Sequence, residues 1–183
     1  MNFVPQYIHG LYVVETAPIA DSRGFFERLF CVREFNAVGH GKEIVQINHT
    51  LTKGRGAIRG MHFQRPPRAE IKIIRCIKGS VFDVAVDIRK NSPTFLKWHA
   101  EILSAGNWKM MYIPEGFAHG FQTLEEDCEL LYFHSEFYDK NHEGALRYDD
   151  PSINITWPLP VGELSERDRA HPLLDNTFAG ITL

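Results

Sequence analysis

The sequence predicts an all-β protein, folded as a sandwich or a barrel. Extended segments rich in β-branched residues make up most of the chain, and helix-forming segments are scarce. Turn signals, of which Asn91-Ser92-Pro93, Ala105-Gly106-Asn107 and Pro114-Glu115-Gly116 are the clearest, separate these segments at short intervals. Many short strands joined by regular turns are typical of β-sandwiches and β-barrels.

The segment Val81–Ile88 has the clearest strand pattern. Its apolar residues alternate along the chain, which places them on one face of a strand and Asp83 and Asp87 on the other. The preceding segment, Glu70–Ile77, is rich in β-branched residues, and Lys78-Gly79-Ser80 is a turn between the two strands. Further strands are predicted at Ile44–Leu51, Trp98–Leu103, Lys109–Ile113, Gly120–Leu124 and Glu129–Ser135.

Helical structure is predicted at two places. One is a short helix over Cys31–Val38 that ends at Gly39, and the other is a single capped turn at Ser165-Glu166-Arg167-Asp168. The tail after Pro158 is expected to pack against the strands, because it carries apolar side chains that need cover: Leu164, Leu173, Leu174 and Phe178. No linker, repeat or low-complexity segment interrupts the chain, so residues 1–183 are predicted to form one domain.

Composition excludes several classes of protein. The formal charge of -3 and the lack of a Lys/Arg cluster give no basic surface for nucleic acid. The 3 cysteines form no CxxC pair, which argues against a disulfide scaffold or a zinc site and favours a reducing cytoplasm. No apolar run approaches the ~18–20 residues that span a bilayer, and the N-terminus does not resemble a signal peptide. We therefore expect a cytoplasmic protein that binds neither membranes nor nucleic acid.

The run Arg59-Gly60-Met61-His62-Phe63-Gln64, followed by Lys72, is the most informative motif. It places a proton acceptor and a fixed cation on the predicted inner wall of a barrel. The pattern resembles, in outline, small β-barrels of the cupin type, whose second motif is matched by Pro114-Glu115-Gly116-Phe117-Ala118-His119. Cupins bind metal through His-x-His and a glutamate, whereas Gln64 and Lys72 occupy two of these positions here. Because an ammonium group repels a divalent cation and an amide is a weak ligand, we predict a cupin-like jelly roll that needs no metal.

A series of ordered blocks carries a more specific resemblance, over roughly residues 10–175. These blocks are similar to those of the dTDP-4-dehydrorhamnose 3,5-epimerase family. They are Asp21-Ser22-Arg23-Gly24-Phe25-Phe26, Gln46-Ile47-Asn48-His49, Ile58-Arg59-Gly60-Met61-His62-Phe63-Gln64, Phe82-Asp83-Val84-Ala85-Val86-Asp87-Ile88-Arg89, Ser92-Pro93-Thr94-Phe95, Ile113-Pro114-Glu115-Gly116-Phe117-Ala118-His119-Gly120-Phe121, Asp149-Asp150-Pro151, Ile155-Thr156-Trp157-Pro158 and Leu164-Ser165-Glu166-Arg167-Asp168.

The resemblance implies an isomerase that inverts C3 and C5 of a 4-keto-6-deoxy hexose carried on a nucleoside diphosphate, without a cofactor. The implied reaction converts dTDP-4-keto-6-deoxy-D-glucose to dTDP-4-keto-L-rhamnose. Protons beside a ketone are weakly acidic, so their removal requires a base and stabilisation of the resulting enolate.

Catalytic roles follow from the same resemblance. His62 is the expected base, since imidazole titrates near neutral pH. Asp168 is expected to pair with it, and Asp83 is the alternative partner. Lys72 would face the C4 oxygen, where negative charge develops. Tyr132 occupies the family's general-acid position, from which a proton would return to the opposite face of the sugar.

The resemblance also implies residues that bind the nucleotide sugar. Arg23 and Arg59 match arginines that meet the diphosphate, which suits the geometry of a guanidinium group. Tyr138 matches an aromatic residue that stacks on the base. Further substrate contacts are implied at Phe26, Arg28, Gln46, Asn48, His119, Glu143 and Arg167.

Two residues depart from the family pattern. Arg28 stands where the family has a glutamate at a nucleotide-contact position, and Glu70 stands where glutamine is common. Family members form dimers that exchange N-terminal strands. The resemblance therefore implies a homodimer in which Arg23 serves the site of the neighbouring chain.

Several alternatives stay open on the sequence alone. One is an epimerase that acts at C3 or C5 only, or that uses a CDP-linked sugar, which the departures at Arg28 and Glu70 would favour. Others are a metal-dependent cupin and a sugar-nucleotide binding module without catalysis. Four further histidines, to which the resemblance gives no role, are expected to be exposed or structural: His49, His99, His134 and His142.

Overall fold

The structure, a computed structural model, describes residues 1–183. The chain folds into two antiparallel sheets and a separate hairpin. The elements, in chain order, are β1 (Asn2–Pro5), β2 (Tyr12–Glu15), β3 (Ile19–Asp21), β4 (Gly24–Phe26), α1 (Val32–Asn36), β5 (Gln46–Thr52), β6 (Ile58–Gln64), β7 (Lys72–Lys78), β8 (Ser80–Asp87), β9 (Trp98–Ser104), β10 (Lys109–Ile113), β11 (Phe117–Thr123), β12 (Cys128–His134), β13 (Glu143–Ala145) and α2 (Glu166–Ala170).

The larger sheet has six strands in the order β1-β2-β10-β7-β12-β5, and the second has five in the order β13-β6-β11-β8-β9. Strands β3 and β4 pair only with each other. The two sheets face each other across a shared core, so the predicted all-β sandwich is confirmed. Neither helix has the length and apolar character needed to cross a membrane.

The space between the sheets is filled at one end by apolar side chains. Residues of both sheets meet there, and each is at most 1% exposed: Ile74, Val81, Met111, Phe121 and Leu130. Full burial of such a side chain contributes about 1.5–3 kcal/mol. Along β12 the inward positions pass from Leu130 in this core to Tyr132 and His134, which line a polar cavity. The sandwich is therefore packed at one end and hollow at the other.

Strand β8 is buried on both faces. Its Val84 and Val86 pack on the outer side of the smaller sheet, against Ile153, Ile155 and Ile181 of the C-terminal tail. Leu174 and Phe178 also pack there, as predicted, whereas Leu173 is 45% exposed. The tail thus covers the apolar face that the alternation in Val81–Ile88 predicts.

Asp87, at the end of β8, organises the loop that follows. Although it is fully buried, its carboxylate accepts hydrogen bonds from the backbone and guanidinium of Arg89 and from the hydroxyl groups of Ser92 and Thr94. Buried charges are stable when they are paired and hydrogen bonded in this way. These contacts explain the block Ser92-Pro93-Thr94-Phe95 by structure alone.

The predicted helices are both present, in shortened form. The first covers Val32–Asn36 within the predicted Cys31–Val38. Ser165 caps the second helix, because its hydroxyl accepts a 3.0 Å hydrogen bond from the backbone N–H of Asp168. Five short strands were not predicted, because three or four residues are too few for a periodic pattern: β1, β2, β3, β4 and β13.

The β3–β4 hairpin projects apolar side chains into solvent. Ile19, Phe25 and Phe26 are 73%, 61% and 68% exposed. The hairpin is tied to the sandwich just beyond its end, where Glu27 lies 3.2 Å from the buried guanidinium of Arg75. Large apolar side chains exposed together on one element indicate an interaction surface.

Candidate active site

A cavity of about 730 Å³ opens between the sheets at their polar end. Its size lies in the range of small-molecule sites, which is about 300–1,000 Å³. Strands of both sheets and the segment around α2 contribute side chains to its wall. Eleven of the fourteen residues predicted to form the site line it: Gln46, Asn48, Arg59, His62, Lys72, His119, Tyr132, Tyr138, Glu143, Arg167 and Asp168.

Gly60 allows both Arg59 and His62 to reach this cavity. Simple alternation along β6 would send these two side chains to opposite faces, because they are three residues apart. The pairing of β6 with β11 shifts register at this point, and Gly60 has a φ of 118°. A Cβ atom at Gly60 would lie 2.6 Å from the Cα of Gly120, so only glycine permits the close approach.

His62 and Asp168 form a hydrogen-bonded pair in the cavity wall. His62 Nε2 lies 2.7 Å from Asp168 Oδ1, and their side chains are 31% and 5% exposed. Burial raises the pKa of Asp168, but the hydrogen bond and charge of His62 outweigh it, and the pKa lies below its ordinary value. Asp168 is therefore ionised at neutral pH. His62 Nδ1 has no hydrogen-bond partner within the chain, which leaves it able to accept a proton.

Lys72 lies beside His62, in a buried position. Its ammonium group donates to the backbone oxygen of His62 at 3.2 Å and lies 3.2 Å from Glu70 Oε1. The side chain of Lys72 is 9% exposed. Because an ammonium group has three donors, one N–H stays free for an oxygen atom in the cavity.

Tyr132 stands between two histidine rings. The ring of His119 meets it edge-on, and the ring of His134 lies parallel to it, at 6.0 Å between centroids in each case. Burial, with a further contribution from the charge of Asp83, raises the pKa of Tyr132 well above its ordinary value. The phenol therefore keeps its proton at neutral pH.

Asp83 pairs with His119 and not with His62. Asp83 Oδ1 lies 2.8 Å from His119 Nε2, and both side chains are almost completely buried. The alternative pairing of His62 with Asp83 is thus wrong in this structure. The second carboxylate oxygen of Asp83, Oδ2, is also buried but has no hydrogen-bond partner within the chain.

The cavity mouth carries the groups predicted to bind a nucleotide. Arg59 uses Nε to donate to Thr52 Oγ1 at 2.8 Å, and its two Nη groups have no partner within the chain. On the neighbouring strand β13, Glu143 accepts hydrogen bonds from Tyr138 Oη at 3.1 Å and from Arg167 Nη2 at 2.5 Å. The mouth therefore combines free guanidinium donors with an exposed aromatic ring.

Three predicted substrate residues lie outside the cavity of their own chain. Arg23 is at the tip of the exposed hairpin and pairs with Asp21. Phe26 is 68% exposed on the same hairpin. Arg28 follows the hairpin, where its Nη1 lies 3.7 Å from Glu34 Oε1. Within one chain these residues do not contribute to the site.

The cavity wall also contains residues that the sequence does not assign to the site, among them His134 and Glu70. Of the two expectations for His134, exposed or structural, exposure is wrong, because the side chain is 12% exposed and lines the cavity. Glu70, noted only as a departure from the family pattern, accepts a 2.7 Å hydrogen bond from His134 Nδ1. The signal for His134 was its position two residues after Tyr132, which puts both side chains on one face of β12.

One group of side chains could hold a metal ion. Ligand atoms of His62, Asp168 and His171 lie within 4.8 Å of one another. Other groups fill the position that cupins use for metal. The amide of Gln64 donates to two backbone oxygens and accepts from one backbone N–H, and Lys72 adds a positive charge. That donor set does not fit a divalent cation.

Comparisons with known proteins agree with this geometry. A family model described as dTDP-4-dehydrorhamnose 3,5-epimerase matches residues 5–176. A protein of that name from Salmonella typhimurium is 45% identical over 180 residues, which are 97% of this chain and 98% of that protein.

Solved structures agree over the same length. A dTDP-6-deoxy-D-glucose-3,5-epimerase from Legionella pneumophila, crystallised with dTDP-4-keto-L-rhamnose, has a TM-score of 0.92 and 34% identity, covering 100% of this chain and 98% of that one. A 3'-monoepimerase from Streptomyces bikiniensis, in complex with dTDP-quinovose, has a TM-score of 0.86 and 32% identity, covering 92% and 86%. These matches confirm the predicted cupin-like jelly roll.

Proposed function

The chain belongs to the dTDP-4-dehydrorhamnose 3,5-epimerase family, and we propose that it converts dTDP-4-keto-6-deoxy-D-glucose to dTDP-4-keto-L-rhamnose. The observation that carries this proposal is the convergence of a His–Asp pair, a lysine and a protonated tyrosine in one cavity. His62, Lys72 and Tyr132 come from three different strands, β6, β7 and β12, and all line the same space. Such a set can remove a proton, stabilise the enolate and return a proton.

His62 is the proposed base. Its Nδ1 would take the proton from C3 or C5, which the 4-keto group makes weakly acidic. Asp168 holds the ring through Nε2 at 2.7 Å and stabilises the imidazolium that forms. Since the pKa of Asp168 lies below its ordinary value, its carboxylate carries the negative charge that this role requires at neutral pH.

Lys72 is the proposed electrostatic partner of the enolate. The electron pair left by the departing proton moves onto the C4 oxygen, and the free N–H of Lys72 would donate to that oxygen. A buried ammonium group with fixed partners costs no reorganisation when the charge develops.

Tyr132 is the proposed acid. Inversion requires the new C–H bond to form on the face opposite the one that lost its proton. Tyr132 projects from β12 of the larger sheet, whereas His62 projects from β6 of the smaller one, so the two can act on opposite faces of a sugar between them. Its raised pKa keeps the phenol protonated until an enolate is present.

Nucleotide binding is proposed at the cavity mouth. The free Nη groups of Arg59 suit a diphosphate, and Tyr138 offers an exposed ring for a base. Gln46 and Asn48 add polar contacts on β5. The protein would form a homodimer that exchanges N-terminal strands, in which Arg23, Phe26 and Arg28 complete the site of the second chain. We expect this dimer to be cytoplasmic.

Catalysis is proposed to need no metal or other cofactor, because enolate stabilisation is assigned to Lys72. Activity that is unchanged after treatment with a chelator would support this. If the chelator abolished activity and one added metal restored it, stabilisation of the enolate would be assigned to that metal ion instead of Lys72.

Exchange of substrate protons with solvent tests the proposal directly. The protein is incubated with dTDP-4-keto-6-deoxy-D-glucose in deuterated water, and the sugar is followed by NMR and mass spectrometry. We expect deuterium at both C3 and C5, together with the L-rhamno product. Binding of the sugar nucleotide without exchange at either carbon would mean that the protein is a binding module.

A second candidate is a single-site epimerase, which the likeness to the Streptomyces bikiniensis monoepimerase favours. Deuterium at one carbon only would establish it. Running the CDP-linked 4-keto sugar in parallel tests the departure at Arg28, since a preference for that substrate would change the assigned nucleotide.

A further inference from the structure

Three histidine–carboxylate pairs surround the cavity, and the roles above leave one of them without a function. His62 with Asp168 forms the proposed base, and His119, which pairs with Asp83, is a predicted substrate contact. The third pair joins His134 on β12 to Glu70, just before β7, with Nδ1 and Oε2 2.7 Å apart. Both of its side chains are nearly buried, at 12% and 8% exposed.

Glu70 binds two cavity residues at once. One carboxylate oxygen meets His134, and the other lies 3.2 Å from the ammonium group of Lys72. Burial raises the pKa of Glu70, but the charge of Lys72 and the hydrogen bond of His134 outweigh it, so the pKa is lower than its ordinary value. The group is therefore a carboxylate at neutral pH and holds both partners by charge-assisted contacts.

His134 extends the reach of Glu70 to Tyr132. The two rings are nearly parallel, with 6° between their planes and 6.0 Å between their centroids. Asn48 Nδ2 lies 3.4 Å from Nε2, so contacts at both nitrogens fix the plane of the imidazole ring. A fixed imidazole limits the rotation of the neighbouring phenol.

We propose that Glu70 is a positioning residue that fixes two catalytic groups together: Lys72 directly, and Tyr132 through the ring of His134. The proposal rests on the function proposed above. It links the group that stabilises the enolate to the group that returns the proton, although the two side chains come from different strands. Loss of the link loosens both.

Glu70→Gln tests this, because it keeps the shape of the side chain and removes its charge. We expect kcat to fall by about 10- to 100-fold, the scale of a small misplacement of catalytic groups. We expect KM to change by less than about twofold, because the groups assigned to the nucleotide, Arg59 and Tyr138, do not bond to Glu70. The ratio of deuterium exchange to inversion should also rise, since a loosened Tyr132 delivers its proton less often to the far face.

The chain supplies a matched control in Glu129. This glutamate also bridges a histidine and a lysine, with contacts of 3.0 Å to His49 Nε2 and 3.4 Å to Lys78 Nζ, but it lies outside the cavity. Glu129→Gln should leave kcat, KM and the ratio of exchange to inversion unchanged.

His134→Phe separates the two arms of the link. It keeps a ring beside Tyr132 but breaks the hydrogen bond to Glu70. We expect a loss of kcat smaller than that of Glu70→Gln, and a double variant whose effects are less than additive, as expected for residues of one network. Fully additive losses would mean that Glu70 and His134 act separately.

A wild-type kcat and a wild-type ratio of exchange to inversion in Glu70→Gln would overturn the proposal. If the unsubstituted protein exchanges no deuterium on either sugar nucleotide, the proposed function fails instead. The link remains measurable in that case, because the NMR signal of the His134 Nδ1–H reports the bond to Glu70 without turnover. We expect Glu70→Gln to shift this signal and Glu129→Gln to leave it in place, whereas no shift in Glu70→Gln would refute the link.

Discussion

His119 lies directly opposite His62 across the pairing of β11 with β6, and the register shifts immediately afterwards, between His119 and Phe121. The two sequence motifs therefore meet at one point of the smaller sheet. The shift falls where Gly60 and Gly120 approach each other, so the same irregularity that joins the motifs also turns Arg59 toward the cavity. The site is built around a local break in the sheet.

Replacing His62 by alanine removes the proposed base. We expect deuterium exchange at C3 and C5 to fall by at least about 10²- to 10⁴-fold, the usual contribution of a general base. NMR of the sugar protons measures it. His142→Ala is the control, because His142 pairs with Asp139 outside the cavity and should exchange at the wild-type rate. Exchange that survives in His62→Ala would point to another base.

Tyr132→Phe should impair inversion more than proton removal. The substituted ring still packs between His119 and His134 but has no proton to donate. Deuterium wash-in and product formation, measured in the same sample, separate the two steps. Tyr12→Phe, on the outer side of the larger sheet, provides a control for the loss of a hydroxyl group. An equal loss of both steps would count against Tyr132 as the donor.

Asp87→Asn should destabilise the protein by roughly 3 kcal/mol, the scale for breaking a buried charged network. Urea denaturation at pH 7 measures this, and Asp175→Asn, an exposed carboxylate, should have little effect. The specific activity of the folded fraction should not change, because Asp87 does not line the cavity.

Low pH should remove the contribution of the Asp87 carboxylate to the free energy of unfolding. Burial raises the pKa of Asp87, but hydrogen bonds from Arg89, Ser92 and Thr94 outweigh it and hold the pKa below its ordinary value. A lowered folded-state pKa adds stability above the unfolded pKa of about 3.9, and this stability is lost as pH falls through the folded pKa. Below about pH 4 the wild type and Asp87→Asn should therefore converge in stability. A gap of constant size down to low pH would contradict this assignment.

Mixing two inactive variants tests the proposed exchange of strands. His62→Ala disables the cavity, and Arg23→Ala disables the hairpin that would serve a partner. In a mixed dimer, one site receives a sound cavity from one chain and a sound hairpin from the other. Random mixing should restore about a quarter of the wild-type activity, since half of the dimers are mixed and each has one intact site. No recovery on mixing, with exchange of subunits verified, would place Arg23 in its own chain's site.

Regular strands were predictable, whereas contacts across the cavity were not. Alternation located β8 to within one residue, because period-two burial is a local property of the chain. The choice between Asp83 and Asp168 as the partner of His62 depends on a contact that spans 106 residues. No local pattern decides such a contact. The burial of His134 was not predictable for a similar reason, since a strand residue faces a cavity or solvent according to the elements packed against it.

The packed core at one end of the sandwich restricts how a ligand can enter and leave the cavity. Ile74, Leu130 and their neighbours fill the space between the sheets beyond Tyr132, so a ligand cannot pass through that end. Under the proposed function, a nucleotide sugar would therefore reach His62 with its hexose first, and its nucleotide would stay at the cavity mouth. The product would leave by the path along which the substrate entered. The depth of the cavity would then limit the size of the hexose that is accepted, whereas selection of the nucleotide base would take place at the mouth.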